Sequence, residues 1–405
     1  MRTRVAAGAG RVAGTLSRRL GLGEGAIIGG RIALAVDRRA LARLAAGRRV
    51  VLVTGTNGKT TVAHLLAAVL RTVGSVAHND TGANMADGAV AALLARPEAD
   101  LAVLEVDELH LADVAGQVRP EVVVLLNLTR DQLDRSTEVA AVAAAIRRAV
   151  QAQPLATVLA NCDDPVVVAV ADGLPRVRWL AAGGNWVGDA ALCPRCRRLL
   201  HRNGVLWSCS SCGLRRPEPD WQLADGVARG ACWATPLTVL LPGEYNVRNA
   251  LTAVAAAAVL GVPLGRAGAA LADVRSVAHR YAVVEHGGQQ VTLLLAKNPA
   301  GWREVLPLLS TADGLLLAVN AREADGRDTS WLWDIPFEQL PARPTVVAGE
   351  AAADLALRLT YACTAHHLVP DPLRGLRLLP PGRITVVANY TAFNGLWHSL
   401  ERRRP

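Results

Sequence analysis

The sequence predicts an α/β fold built on a parallel sheet, and three observations carry that expectation. From about residue 47, buried-looking runs of valine and leucine alternate with helix-period runs. The first such run, Val50–Val53, passes into a glycine-rich turn, Thr54-Gly55-Thr56-Asn57-Gly58-Lys59-Thr60-Thr61, with the spacing of a phosphate cradle. A break over 183–219, rich in Gly, Cys, Arg and Pro, then interrupts the alternation and reads as a small inserted module.

Taken in order, residues 1–45 form an N-terminal segment in which Arg4, Arg11, Arg18 and Arg19 interrupt anything resembling a secretory apolar region. Strands are expected at Val50–Val53, Leu101–Val106, Val122–Leu126 and Thr157–Ala160, with helices at Thr60–Arg71 and Val139–Val150 between them. After the insert, expected over 188–220, a strand at Thr238–Leu241, a Pro242-Gly243 turn and an alanine-rich buried helix, Asn249–Leu260, resume the central domain, 46–275. A smaller α/β domain, 276–405, draws its strands from Val291–Leu295, Gly314–Val319, Thr345–Val347 and Arg383–Val387.

Composition narrows the class. At 405 residues with 51% hydrophobic and 20% charged content, the chain is expected to be globular with two or three domains. No run of about 18 apolar residues predicts a membrane span, and the protein is expected to be cytoplasmic, with at most peripheral contact at the inner face of the plasma membrane. The net charge of +9 fits nucleic acid, an anionic membrane face or a phosphorylated substrate, and charge alone does not choose.

The turn itself is more specific. Gly55 and Gly58 let the backbone fold tightly and aim N–H groups at a polyphosphate, while the helix that follows directs its positive end at the same charge. Gly55, Thr56, Asn57, Gly58, Lys59, Thr60 and Thr61 are therefore candidate ATP-binding residues; Lys59 would reach the terminal phosphates and Thr60 would hold Mg²⁺. The chain has 44 Lys+Arg, yet lysine occurs only at Lys59 and Lys297. A lysine kept against such arginine bias is expected where its compact ammonium is needed.

Downstream strand exits supply acids and amides. Glu105 and Asp107 alternate onto one side of an extended segment where both would face Mg²⁺, with Glu108 directed to solvent. Asn161 and Asp163 end a later strand, where ligands bind in such sheets. Asn246 and Asn249 open the long helix, either capping it or reading a base. Cys193, Cys196, Cys209 and Cys212 form two C-x-x-C pairs, the spacing of a closed Zn²⁺ ribbon, with His201 between them as a competing ligand. Cys162, Cys232 and Cys363 are expected to be small buried hydrophobes.

The succession TGTNGKTT, LEVDE, NLTRDQLD, NCDDP and PGEYNVRNA resembles the Mur ligase family, which joins amines to carboxylates through an acyl phosphate. The four-cysteine insert and the segments Leu295–Trp302 and Asn320–Asp334 resemble its branch that amidates lipid II. The resemblance implies a Mur ligase-type central domain, a glutamine amidotransferase partner, GatD, that supplies ammonia, and the peptidoglycan precursor lipid II as substrate. It also implies a catalytic role for Lys59 and Glu105, a phosphate or carboxylate clamp at Arg280 and Lys297, and a carboxylate, Asp328 or next Asp325, that completes the partner's Cys-His pair; the plain alternative is that these acids cap a loop. Gln132 stands where other Mur ligases carry a metal-binding His, and His279 stands where a Gly usually precedes Arg280.

Two other readings compete. One keeps the fold but adds an amino acid instead of ammonia. The other is a zinc-ribbon ATPase that binds nucleic acid through Arg215 and Arg216 with Trp207 and Trp221 as stacking positions.

Overall fold

The structure, a computed structural model, describes residues 26–80, 82–130, 139–181, 190–230, 233–277 and 280–402, together with Gly8 and Gly10. The expectations placed on Gln132, Cys232, His279 and most of the N-terminal segment lie outside them.

The described chain divides into two units. The first comprises 1–129, 138–240 and 245–275, and the second 130–137, 241–244 and 276–405. In the first, β1 (Arg49–Thr54), β2 (Val76–His78), β3 (Leu101–Glu105), β4 (Val122–Leu125), β5 (Thr157–Asn161) and β6 (Val177–Ala181) are all parallel. A separate hairpin, β7 (His201–Asn203) and β8 (Leu206–Ser208), lies in the cysteine module. Three further strands, β9 (Trp221–Ala224), β10 (Val227–Gly230) and β11 (Trp233–Pro236), extend the main sheet. Its order is β11-β10-β9-β6-β5-β4-β1-β3-β2.

β1 is central because it is buried on both faces. Val50, Val51, Leu52 and Val53 are each at most 1% exposed, which is why the run does not alternate. β1 therefore delivers its C-terminal turn to the point where strand order changes direction, between β3 and β4, the usual ligand position in such sheets.

One expectation is corrected here. Thr238–Leu241 is not a strand; the edge strand is Trp233–Pro236, and Leu240 is 48% exposed, so this apolar run has no sheet to join. β9 and β10 turn at Asp225-Gly226, both at positive φ (52° and 71°), the hairpin signal that this dipeptide carries.

The second unit has the order β12 (Tyr281–His286), β13 (Gln289–Leu295), β17 (Gly382–Ala388), β14 (Gly314–Ala318), β15 (Thr345–Ala348) and β16 (His367–Leu368), parallel except at β12–β13. Its core includes Trp302, fully buried and edge-on to Phe337 with ring centroids 5.1 Å apart. Cys363 departs from expectation. It is exposed, with φ of 53°, because it takes the left-handed position that ends the helix Ala352–Tyr361. Cys162 is buried.

Candidate active site and metal centre

The phosphate turn is built from glycine geometry. Gly55 (φ 132°) and Gly58 (φ 89°) hold conformations that side chains oppose. A Cβ on Gly55 would lie 2.9 Å from the Asn127 carbonyl oxygen and 3.0 Å from its nitrogen; one on Gly58 would lie 2.9 Å from Asn249 Oδ1. The turn is pinned to the exit of β4. Thr56 N donates to Asn127 O and Asn57 N to Asn127 Oδ1, each at 2.9 Å, while Asn127 Nδ2 returns a bond to Asn57 O at 3.0 Å.

A Gly55→Ala variant should consequently lose about 3 kcal/mol of unfolding free energy, since a backbone neighbour cannot move aside as a side chain can. Gly58→Ala should lose less, because its neighbour is the Asn249 side chain. Denaturant unfolding of both variants measures the difference.

Lys59 begins the helix Lys59–Leu70 and is only 7% exposed. Its ammonium donates to Gly55 O at 2.6 Å and to Glu108 Oε2 at 3.1 Å. Thr60 Oγ1 donates to Glu105 Oε2 at 2.8 Å, with Thr60 and Glu105 both buried. The backbone of Glu105 is clamped at both ends by buried Asn79, whose Oδ1 accepts from Glu105 N at 2.8 Å and whose Nδ2 donates to Glu105 O at 2.9 Å.

This arrangement corrects the pairing expected from strand alternation. Asp107 does not accompany Glu105; its Oδ1 accepts from Leu109 N at 3.0 Å and closes a local turn. Glu108, expected in solvent, has a side chain only 13% exposed and faces Lys59. The physical reason is that β3 ends at Glu105, so the period of two no longer applies beyond it. Asn127 opens the segment that follows β4, where the sequence places amides and carboxylates at a ligand-binding strand exit, whereas nothing in the sequence around Asn79 signals its role.

Of the other expected residues, Asp163 is engaged by Arg216, Nε to Oδ1 at 2.7 Å, and both side chains are less than 10% exposed. Asn161 Oδ1 accepts from Asp163 N at 3.0 Å. The neighbouring Asp164 caps the helix Pro165–Ala171 and accepts from Leu128 N at 2.8 Å, tying this loop to the exit of β4. Asn246 and Asn249 lie within the helix Glu244–Val259, past its capping position, and Asn249 Nδ2 donates to Asn246 Oδ1 at 3.3 Å. Asn249 Oδ1 borders Gly58, so the first unit brings this amide to the phosphate turn.

In the second unit, Arg280 immediately precedes β12 and Lys297 follows the end of β13, the two strand ends that pair through Tyr281 and Leu294, and Leu295 N donates to Arg280 O at 3.1 Å. Asn298 caps the helix Pro299–Val305 through Gly301 N at 2.9 Å, which explains the Asn-Pro-Ala-Gly run as a helix start. Asp325 is buried; its two oxygens accept from the Thr391 amide, at 2.9 Å, and from the Thr391 hydroxyl. Burial raises its pKa against those bonds. Asp328 sits in the surface loop and accepts from Ser330 N at 2.8 Å and Ser330 Oγ at 2.9 Å.

The four cysteines converge. Their Sγ atoms all lie within 4.8 Å of one another, with Cys193–Cys212 at 3.5 Å and Cys196–Cys209 at 3.4 Å. A tetrahedral Zn–S bond of about 2.3 Å requires S–S edges of about 3.8 Å, so the donor set fits a closed four-thiolate metal site. The two knuckles repeat one geometry: Arg197 N donates to Cys193 O at 2.9 Å and Gly213 N to Cys209 O at 3.0 Å, with Arg197 and Gly213 at positive φ (61° and 74°). Trp207 is 3% exposed and packs inside the module. Trp207 is therefore buried and the Arg216 side chain is held by Asp163, which removes two of the stacking and basic positions on which the nucleic-acid reading rests.

The fold defines a Mur ligase-type chain. The Mur ligase middle domain matches residues 53–177, and the pseudomurein peptide ligase type C of Methanothermus fervidus superposes with a TM-score of 0.71 at 18% identity, covering 91% of this chain and 81% of that one. The MurT ligase C-terminal domain matches residues 295–393. Subunit MurT of the glutamine-hydrolysing lipid II isoglutaminyl synthase from Streptococcus pneumoniae is 33% identical over 79% of this chain and 77% of its own length; that of Staphylococcus aureus is 28% identical over 84% and 83%. The chain belongs to the MurT family.

Proposed function

We propose that the chain is the ligase subunit of a lipid II isoglutaminyl synthase, amidating the α-carboxylate of D-glutamate in the lipid II stem peptide to D-isoglutamine. The observation that carries this reading is the 33% identity to a MurT subunit, which spans both units, set beside a phosphate turn that a Cβ would fill.

ATP would be held by Gly55–Thr61, with Asn161, Asp163, Asn246 and Asn249 as the remaining nucleotide-side candidates. The paired oxygens of Thr60 and Glu105, 2.8 Å apart, fit Mg²⁺, which supplies charge neutralisation on the phosphates. A carboxylate oxygen of the substrate attacks the γ-phosphorus, and the bond to the ADP oxygen breaks. Lys59 stabilises the charge on the transferring group, leaving Gly55 O and Glu108 to do so. Ammonia then attacks the acyl carbon, phosphate leaves with the bonding pair, and the nitrogen loses a proton to give the amide.

Arg280 and Lys297 are the proposed clamp on phosphate or carboxylate. Ammonia comes from a GatD-like amidotransferase in a heterodimer, with Asp328 contributing to its site. Domain limits at 45/46 and 275/276 belong to the same reading, as does a cytoplasmic position beside the membrane that carries the substrate. Incubation of the chain and its partner with ATP, glutamine and lipid II, followed by mass spectrometry of the stem peptide, tests it. Isoglutamine should form, and transfer of an amino acid instead would refute it.

Zinc is the proposed metal of the four-cysteine module. One equivalent should be found per chain, and Cys193→Ser or strong chelation should expose protease sites within 190–216, because so small a module has little core besides the metal. Metal analysis and limited proteolysis check both.

A further inference from the structure

The cysteine module carries a surface that the proposed reaction does not use. Residues 190–216 contain six arginines, Arg195, Arg197, Arg198, Arg202, Arg215 and Arg216, and no aspartate or glutamate. Even with the two net negative charges of a four-thiolate zinc site, the module stays cationic. Arg216 is held by Asp163, and Arg195 pairs with Asp172; Arg197, Arg198, Arg202 and Arg215 are exposed.

Large apolar side chains are exposed among those arginines. Leu199 is 69% exposed, Val205 62%, Leu206 56% and Leu192 48%. Leu192, Leu199 and Leu206 share one face for a geometric reason. Leu192 and Leu199 are partners in an antiparallel bridge, Asn203 faces Leu206 across the β7–β8 hairpin, and Ser208 is bridged to Arg215. Leu200, Trp207, Cys209 and Leu214 occupy the intervening positions and are buried. Strand alternation thus turns Leu199, Leu206 and Arg215 outward while their neighbours form the core.

An outward face of leucines bordered by arginines, to which residues 190–216 contribute no acid, matches an anionic lipid surface: apolar groups enter the interfacial region, and guanidinium groups meet the phosphates. We propose that this face of the module docks the protein on the anionic bilayer that bears its substrate. The inference rests on the lipid II reading for its purpose, although not for its measurement.

The test uses the full chain with its partner and sedimentation against vesicles containing about one third phosphatidylglycerol, or phosphatidylcholine alone. The protein should sediment with the anionic vesicles only, and binding should fall at least about fivefold in a Leu192→Ser/Leu199→Ser/Leu206→Ser variant and in an Arg198→Glu/Arg215→Glu variant. Both variants should keep their metal content and amidate a water-soluble, short-chain lipid II analogue at the unaltered rate. Equal sedimentation with both vesicle types, or unchanged binding by the variants, would overturn the proposal. So would loss of co-elution with the partner in the leucine variant, which would make this face a protein interface. Failure of amidation in the unaltered protein would refute the enzymatic reading and leave the vesicle result standing on its own.

Discussion

Replacing Lys59 by alanine should leave a folded protein whose ATP-dependent amidation is slower by about three orders of magnitude, the usual scale for losing one charged donor to a transferring group. Its side chain is 8% exposed and its ammonium is held by Gly55 O and Glu108, so it stands ready beside the turn instead of ranging through solvent. Lys59→Arg should fail nearly as badly. The planar guanidinium cannot reproduce a compact point charge in a turn packed this closely. Lys59→Ala removes the ammonium that faces Glu108, and the 13% exposure of the Glu108 side chain predicts a loss of about 1–2 kcal/mol in stability. Steady-state kinetics together with denaturant unfolding separate the two effects: a variant that is stable yet fully active would remove Lys59 from the mechanism.

Asp328→Asn should lower glutamine hydrolysis by the complex about a hundredfold or more, while amidation driven by added ammonium salts stays near its original rate. Asp325→Asn should behave differently. Asp325 is buried and both its oxygens are taken by Thr391, so the substitution replaces an acceptor with a donor against the Thr391 contacts. The expected result is about 2–3 kcal/mol of lost stability, with both activities declining together. Measuring glutaminase and ammonia-dependent rates side by side distinguishes a group that acts on the partner's chemistry from one that holds the loop. Unchanged glutaminase in Asp328→Asn would refute its proposed role.

The readable parts of this chain are those whose physics is local. The phosphate turn is one: two glycines at positive φ and a Lys-Thr pair sit within six residues, so the chemistry and the backbone requirement lie in the same short segment. The cysteine knuckles are another, since each needs only four consecutive residues. What escaped is long-range. Asn79 clamps Glu105 across 26 positions, and Arg216 reaches Asp163 across 53; neither leaves a trace in nearby sequence. Glu108 was misdirected by extending strand alternation past the residue where β3 stops. Thr238–Leu241 reads as a strand because apolar runs do not announce whether a sheet edge is there to receive them. In the second unit, the Asn-Pro-Ala-Gly segment was legible as special, but its capped helix start became plain only from the Asn298–Gly301 contact.

The central claim is that the substrate carboxylate takes the terminal phosphoryl group of ATP before nitrogen arrives. Lipid II carrying ¹⁸O in the D-glutamate α-carboxylate tests this most directly, with the inorganic phosphate released during amidation analysed by mass spectrometry. The account predicts one ¹⁸O in each phosphate for each isoglutamine formed; isoglutamine accompanied by unlabelled phosphate would contradict it.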